Sequence, residues 1–139
     1  MIRASIFSLA ILWFSAPALA SDFTANDQGQ IEFSLPSGNI GCIYTPEGGT
    51  DTYEPAGGGP ELSCDRVAPS YVRVILGPEG KAKRYNDVGD ASCCGGGTFA
   101  YGKTWDMGPF QCKSAETGLT CRRDDGRGFS MSRKSIKTF

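Results

Sequence analysis

From Ile31 onward, apolar and polar positions alternate. Ile31, Phe33 and Leu35 share one side of such a run, and so do Ile40, Cys42 and Tyr44. The same spacing recurs at Leu62 and Cys64, Phe99 and Tyr101, Phe110 and Cys112, Leu119 and Cys121, and Phe129 and Met131. A period of two puts successive side chains on opposite faces of an extended chain, so each run predicts a strand with one buried face. Tyr71 to Leu76 is more continuously apolar and β-branched, the pattern of a central strand. Turn residues punctuate the runs at Pro36-Ser37-Gly38-Asn39, Gly77-Pro78-Glu79-Gly80, Glu116-Thr117-Gly118 and Asp124-Asp125-Gly126. No window supports a helix longer than about two turns, although Ser132 to Lys137 is compatible with a short one. The pattern predicts an all-β domain of roughly eight to ten short antiparallel strands, closed as a small barrel or stacked as a two-sheet sandwich.

Three stretches depart from the alternation. Residues 1–20 carry one charge, Arg3, followed by an apolar run from Ile6 to Phe14 that only Ser8 interrupts, then Pro17 and the triplet Ala18-Leu19-Ala20. This is the order of a secretory signal peptide cleaved after Ala20. Residue 21 is Ser, so a lipid anchor has no acceptor thiol, and no later segment is long and apolar enough to cross a membrane. Residues 21–30 are polar and aperiodic and read as a short flexible arm, which leaves 31–139 as a single domain. Thr45 to Glu61 is rich in Gly and Pro and reads as a long exposed loop, weighted towards a tolerated insertion.

Composition sharpens the picture. The chain has 19 glycines and 8 prolines but no histidine. The missing imidazole removes Ser-His, Cys-His and His-metal chemistry together. Charge is unevenly placed: residues 21–65 hold eight acids and no base, whereas residues 66–139 hold thirteen bases and seven acids. The plain reading is that the two halves neutralise each other in the fold. The sharper one is a basic C-terminal face, built from Arg122, Arg123, Arg127, Arg133, Lys134 and Lys137, that meets an anionic envelope component. An exported protein of acidic overall balance is a poor fit to nucleic acid.

Six cysteines allow fifteen pairings, and strand faces narrow them. Cys112 and Cys121 each follow an apolar residue by two positions and can meet across a hairpin. Cys42 and Cys64 repeat that arrangement and would close the Gly/Pro loop. Cys93 and Cys94 are left over. A bridge between neighbours needs a distorted turn, since adjacent Cα atoms lie about 3.8 Å apart. The alternatives are therefore a vicinal bridge or a reshuffled set. The absence of C-x-x-C and of C-x₂-C ligand spacing argues against a redox catalyst and against a metal site.

No S-x-x-K, G-x-S-x-G or phosphate-binding loop is present, so no catalytic residue is assigned and no cofactor is expected. Acid pairs stand at Asp124-Asp125 and at Asp87 and Asp90. Phe99, Tyr101, Trp105 and Met107 all fall on odd positions and in an unbroken strand would share one face. That stripe is either core or, with Tyr101 and Trp105 exposed, a sugar-stacking platform.

Pro36-Ser37-Gly38-Asn39-Ile40-Gly41-Cys42, Tyr101-Gly102, Gly108-Pro109-Phe110-Gln111-Cys112-Lys113-Ser114, Thr117-Gly118-Leu119-Thr120-Cys121 and Gly126-Arg127-Gly128-Phe129-Ser130-Met131-Ser132-Arg133 occur in that order. Together they resemble a family of small secreted, disulfide-bonded bacterial proteins catalogued as domain of unknown function 6636. The resemblance runs from about Phe33 to Phe139 and implies pairing of Cys42 with Cys64 and of Cys112 with Cys121, but no activity. Two departures stand out. Many members carry His where this chain has Arg127, and the family's middle cysteines are more widely separated than Cys93 and Cys94. The reading that gathers these features is a monomeric, non-enzymatic binding module of the periplasm or the extracellular space, with Tyr101, Trp105, Arg122, Arg123, Arg127 and Arg133 as candidate binding residues. Its alternatives are a hydrolase acting on cell-wall or polysaccharide material through a carboxylate pair, and an envelope protein held by its basic C-terminal face.

Overall fold

The computed structural model describes residues 11–12 and 20–139. The expected signal peptide therefore lies largely outside the described residues. Among the described residues eleven strands follow one another: β1 (Ile31–Ser34), β2 (Ile40–Thr45), β3 (Glu61–Arg66), β4 (Val72–Leu76), β5 (Lys83–Tyr85), β6 (Gly97–Thr98), β7 (Thr104–Met107), β8 (Phe110–Ala115), β9 (Gly118–Arg123), β10 (Gly128–Met131) and β11 (Ile136–Thr138). They form a six-stranded sheet in the order β5-β4-β3-β2-β1-β6 and a five-stranded sheet in the order β11-β10-β9-β8-β7. The protein is an all-β sandwich rather than a closed barrel. Each sheet is an antiparallel meander, except that β6 returns to pair in parallel with β1 before the chain enters the second sheet. No described helix is long and apolar enough to cross a membrane.

The alternation read from the sequence sets the two inner faces. Phe33, Leu62, Val72, Val74 and Leu76 from the first sheet meet Trp105, Phe110, Leu119, Phe129 and Met131 from the second, all fully buried. An aromatic cluster fills the middle, with the Trp105 ring 4.9 Å from that of Phe33 and Phe99 5.2 Å from Phe33 on its edge. Edge and offset contacts of this kind contribute roughly 0.5–1.5 kcal/mol each beyond the area they bury. Cys42 is opposite Cys64, and Cys112 opposite Cys121, in adjacent strands, and each pair is joined as a disulfide within the core. Cys93 is joined to its neighbour Cys94.

Two inward-facing arginines tie the sheets together at opposite ends. Arg66 on β3 donates through Nη1 to the Ser132 carbonyl of the second sheet at 3.2 Å, and through Nε and Nη2 to the Ser70 carbonyl. Arg123 on β9 donates to the Gly77 and Gly80 carbonyls of the first sheet at 2.8 and 2.7 Å, and pairs with Asp125. Both side chains are buried. Desolvation, with the Arg84 charge second, lowers the pKa of Arg66 from its usual value.

Several expectations need correction. Residues 21–30 are docked rather than frayed: the Ser21 amide donates to the Thr104 carbonyl, and Phe23 stacks on Phe33 at 5.0 Å. Its ring supplies apolar contact that the polar neighbours conceal. β4 has partners on both sides, but only Val72, Val74 and Leu76 are buried, while Arg73 and Ile75 face outward. Ser132 to Lys137 is a turn leading into β11, because Ile136 finds a ladder partner in Met131. Loop 46–60 is mostly exposed yet folded on itself, with the Gly48 amide bonded to the Gly58 carbonyl and the Thr50 amide to the Tyr53 carbonyl. The oppositely charged halves do not neutralise each other by ion pairing. Among the described residues only Asp65–Arg73 crosses the boundary between them.

Candidate functional site

At the end of the sandwich closed by Arg66, turns from both sheets surround an open cleft of about 410 Å³. The first sheet contributes the β1–β2 turn around Gly38 and Asn39, together with Val67 after β3. The second contributes Glu116 and Thr117 of the β8–β9 hairpin and Ser132 and Arg133 beyond β10. Leu35 and Ile40 supply buried apolar lining, and Tyr101 and Val67 are partly exposed at the rim. Hydrogen bonds hold each turn. The Gly38 amide donates to the Leu35 carbonyl at 2.9 Å, and Gly38 has the positive φ of +72° that the reversal needs. The Asn39 side chain bonds the Ala68 backbone in both directions, at 3.0 and 2.8 Å. The Ser132 and Ser135 main chains are linked at 2.8 Å, and Arg66 grips the Ser132 carbonyl from below. The result is an amphipathic recess between Glu116 and Arg133 on a rim ordered in advance.

Of the six candidate binding residues, the cleft gathers Tyr101 and Arg133. Trp105 is 2% exposed, which removes the stacking platform that paired it with Tyr101. The stripe fails because the run is not one strand: a turn at Tyr101-Gly102, where Gly102 has a φ of +82°, separates β6 from β7. Arg123 is 4% exposed and serves as an inter-sheet brace rather than a binding residue. Arg122 stands on the outer face of the five-stranded sheet, its guanidinium 4.6 Å from the Phe139 ring. Arg127 lies in the β9–β10 turn, at the end where Arg123 closes the sandwich. Lys137, opposite Ser130 on β10, shares the outer face of that sheet with Arg122, whereas Arg123 points inward and Arg127 and Arg133 lie at opposite ends, so the six cations do not make up one face.

One member of each acid pair lies beside an arginine. The Arg123 guanidinium beside Asp125 holds its carboxyl below the usual carboxylate range, the reverse of what a general acid at neutral pH requires. Asp90 lies 3.6 Å from Arg73 on the other side of the molecule.

Sequence reasoning missed a polar network on the outer face of the six-stranded sheet. Asp65 on β3 is opposite Arg73 on β4, and the guanidinium engages its carboxylate through both oxygens, at 2.7 and 2.8 Å. The Tyr71 hydroxyl donates to the same carboxylate and accepts the Cys93 amide at 3.0 Å. Burial, then the bond to Asp65, pushes the Tyr71 phenol above its usual pKa. The Cys93–Cys94 pair sits directly over Gly41: a Cβ there would lie 2.8 Å from that of Cys94. One signal was available, since a lone glycine within an apolar strand marks a close approach by another part of the chain. Nearby, the Tyr53 hydroxyl donates to the buried Glu61 carboxylate at 2.7 Å. Nothing in the sequence links these two residues except the loop between them.

No family model, curated protein or solved structure matches this chain.

Proposed function

We propose that the protein is a secreted, non-enzymatic binding module of the cell envelope that holds a polypeptide partner in the cleft between the two sets of turns. The observation that carries this reading is the convergence of turns from both sheets on one preordered amphipathic recess, with Tyr101 and Val67 at an apolar rim and Glu116 and Arg133 as oppositely charged flanks. An extended peptide presents side chains and main-chain amides together, and matches a site that offers both apolar contact and charge of either sign. The three disulfides fit an oxidising compartment outside the cytoplasm. The signal peptide of residues 1–20 supports export through the general secretory route, and the resemblance to domain of unknown function 6636 supports the same placement. The hydrolase reading loses support on the same geometry, because its acids are dispersed or tied to arginine.

Site-specific photo-cross-linking tests the proposal. A photoreactive residue replacing Tyr101 in the intact envelope should give one dominant protein adduct. A probe at Arg122, on the outer face of the second sheet, should not. Loss of that adduct in an Arg133→Glu background, with the unfolding midpoint unchanged, supports the cleft. Equal labelling from both positions overturns it.

A further inference from the structure

We infer that the protein carries a second binding site, for a neutral saccharide, on the outer face of the six-stranded sheet between Tyr53 and Tyr85. This site lies towards the opposite end of the sandwich from the cleft and does not depend on the reading of that cleft.

Register places the parts. Ile75 is opposite Lys83 and Arg73 opposite Tyr85, so Ile75, Lys83 and Tyr85 neighbour one another on the outward side of β4 and β5. Loop 46–60 then folds back and brings Tyr53 to the same surface, where its hydroxyl is fixed on Glu61. Between them is a cavity of about 280 Å³, with Ile75 and Pro78 among its apolar lining. Both tyrosines are 42% exposed, an unusual outlay of aromatic surface in a chain whose other large rings mostly fill its core. Glu61 is only 4% exposed, and Tyr53 engages its Oε1, while no described group donates to Oε2. No buried side-chain oxygen among the described residues lacks a partner, so Oε2 is the oxygen that opens to the cavity, an acceptor that a ligand hydroxyl can reach in place of water.

The chemistry of this lining selects the ligand class. The C–H faces of a sugar ring pack on aromatic and prolyl surfaces, and its hydroxyls can donate to a carboxylate and accept from an ammonium group. The cavity is small beside ordinary ligand pockets of roughly 300–1,000 Å³, which suits a single ring of a longer chain. Charge argues against ionic ligands: Glu61 and Glu79 are matched by Lys81 and Lys83 in the lining. A quaternary ammonium group, the other common occupant of paired tyrosines, would meet both lysines. The walls are also held in place beforehand. Arg123 secures the 77–80 turn through the Gly77 and Gly80 carbonyls, and Gly57 approaches Pro78 so closely that a Cβ there would lie 3.1 Å from the proline ring.

The test is amide NMR titration of the oxidised protein with cellotetraose, maltotetraose and chitotetraose. We expect saturable shifts at Gly57, Gly77 and Lys83 with at least one of them, affinity about tenfold weaker in Tyr85→Ala, near-native affinity in Tyr85→Phe, and no change in Tyr101→Ala. The dispersion of each variant's spectrum reports its fold in the same experiment, and Tyr53→Ala provides an independent arm on the other ring. Absence of shifts with all three saccharides up to their solubility limits overturns the proposal. So does binding that survives both alanine variants, binding lost in Tyr101→Ala, or tetramethylammonium shifting the same amides where no saccharide does.

Discussion

Single residues decide how the surfaces of this protein are used. Tyr53 has an exposed ring and an engaged hydroxyl, so it can present a face to solvent without freedom to turn. Burial raises its pKa, and the bond to the Glu61 carboxylate and the nearby negative charge raise it further, to about 12. Tyr44 and Tyr71 are also raised by burial. In each case the folded protein keeps a phenolic proton that the unfolded chain loses near pH 10. The stabilisation from these groups is therefore fully present below pH 10 and is lost as pH rises through the folded-state values. Spectrophotometric titration at 295 nm should show the phenolates of Tyr44, Tyr53 and Tyr71 appearing late and together with unfolding. In Tyr53→Phe the loss of stability above pH 10 should be shallower. Ionisation of these three phenols near pH 10, ahead of unfolding, would show that the contacts do not hold. Arg123 teaches the opposite lesson: its sequence position suggested a free cation, and only the tertiary fold turned it inward on Gly77 and Gly80.

At the scale of elements, the alternation of apolar residues located the core strands, and strand faces brought Cys42 to Cys64 and Cys112 to Cys121. These were legible because a half-buried strand writes its own period into the sequence. β5, β6 and β11 were not, since short edge strands with at most one partly buried side chain leave no alternation to record. The docking of Phe23 and the seating of Cys93–Cys94 on Gly41 were also hidden, because each depends on residues far away in sequence. The bridges differ accordingly in what they should contribute. Cys42–Cys64 and Cys112–Cys121 close loops with separations of 22 and 9 residues, worth about 3 kcal/mol each on the loop-entropy estimate. Cys93–Cys94 closes no loop and should contribute little by that route. Chemical denaturation should thus find Cys112→Ala/Cys121→Ala less stable by about 3 kcal/mol, and Cys93→Ala/Cys94→Ala nearer the parent. Equal losses from the two double variants would mean that local packing on Gly41, rather than chain entropy, sets the value of a bridge.

The whole molecule is two meanders linked covalently by one passage of chain and clamped at both ends by arginine. The clamps are not equivalent. Arg123 has a carboxylate partner in Asp125, whereas among the described residues no carboxylate pairs with Arg66, whose donors all go to the Ser70 and Ser132 main chain and the Ser70 hydroxyl. Burying that cation is costly, and neutral acceptors offset the cost only in part, so its benefit lies in geometry more than in net stability. Arg66→Met keeps an unbranched apolar side chain in the same gap and removes the buried charge. It should change global stability by less than about 1 kcal/mol, since replacing buried ionic groups by apolar ones of similar size is often neutral. It should also release the Ser132 carbonyl, and with it the rim that carries Arg133. Hydrogen exchange at the 132–135 turn should accelerate while exchange in β8 and β9 stays slow, and cross-linking from position 101 should weaken in parallel. A variant that instead unfolds cooperatively at much lower denaturant would show that Arg66 holds the sandwich itself together, and that the order of the cleft follows from the stability of the whole.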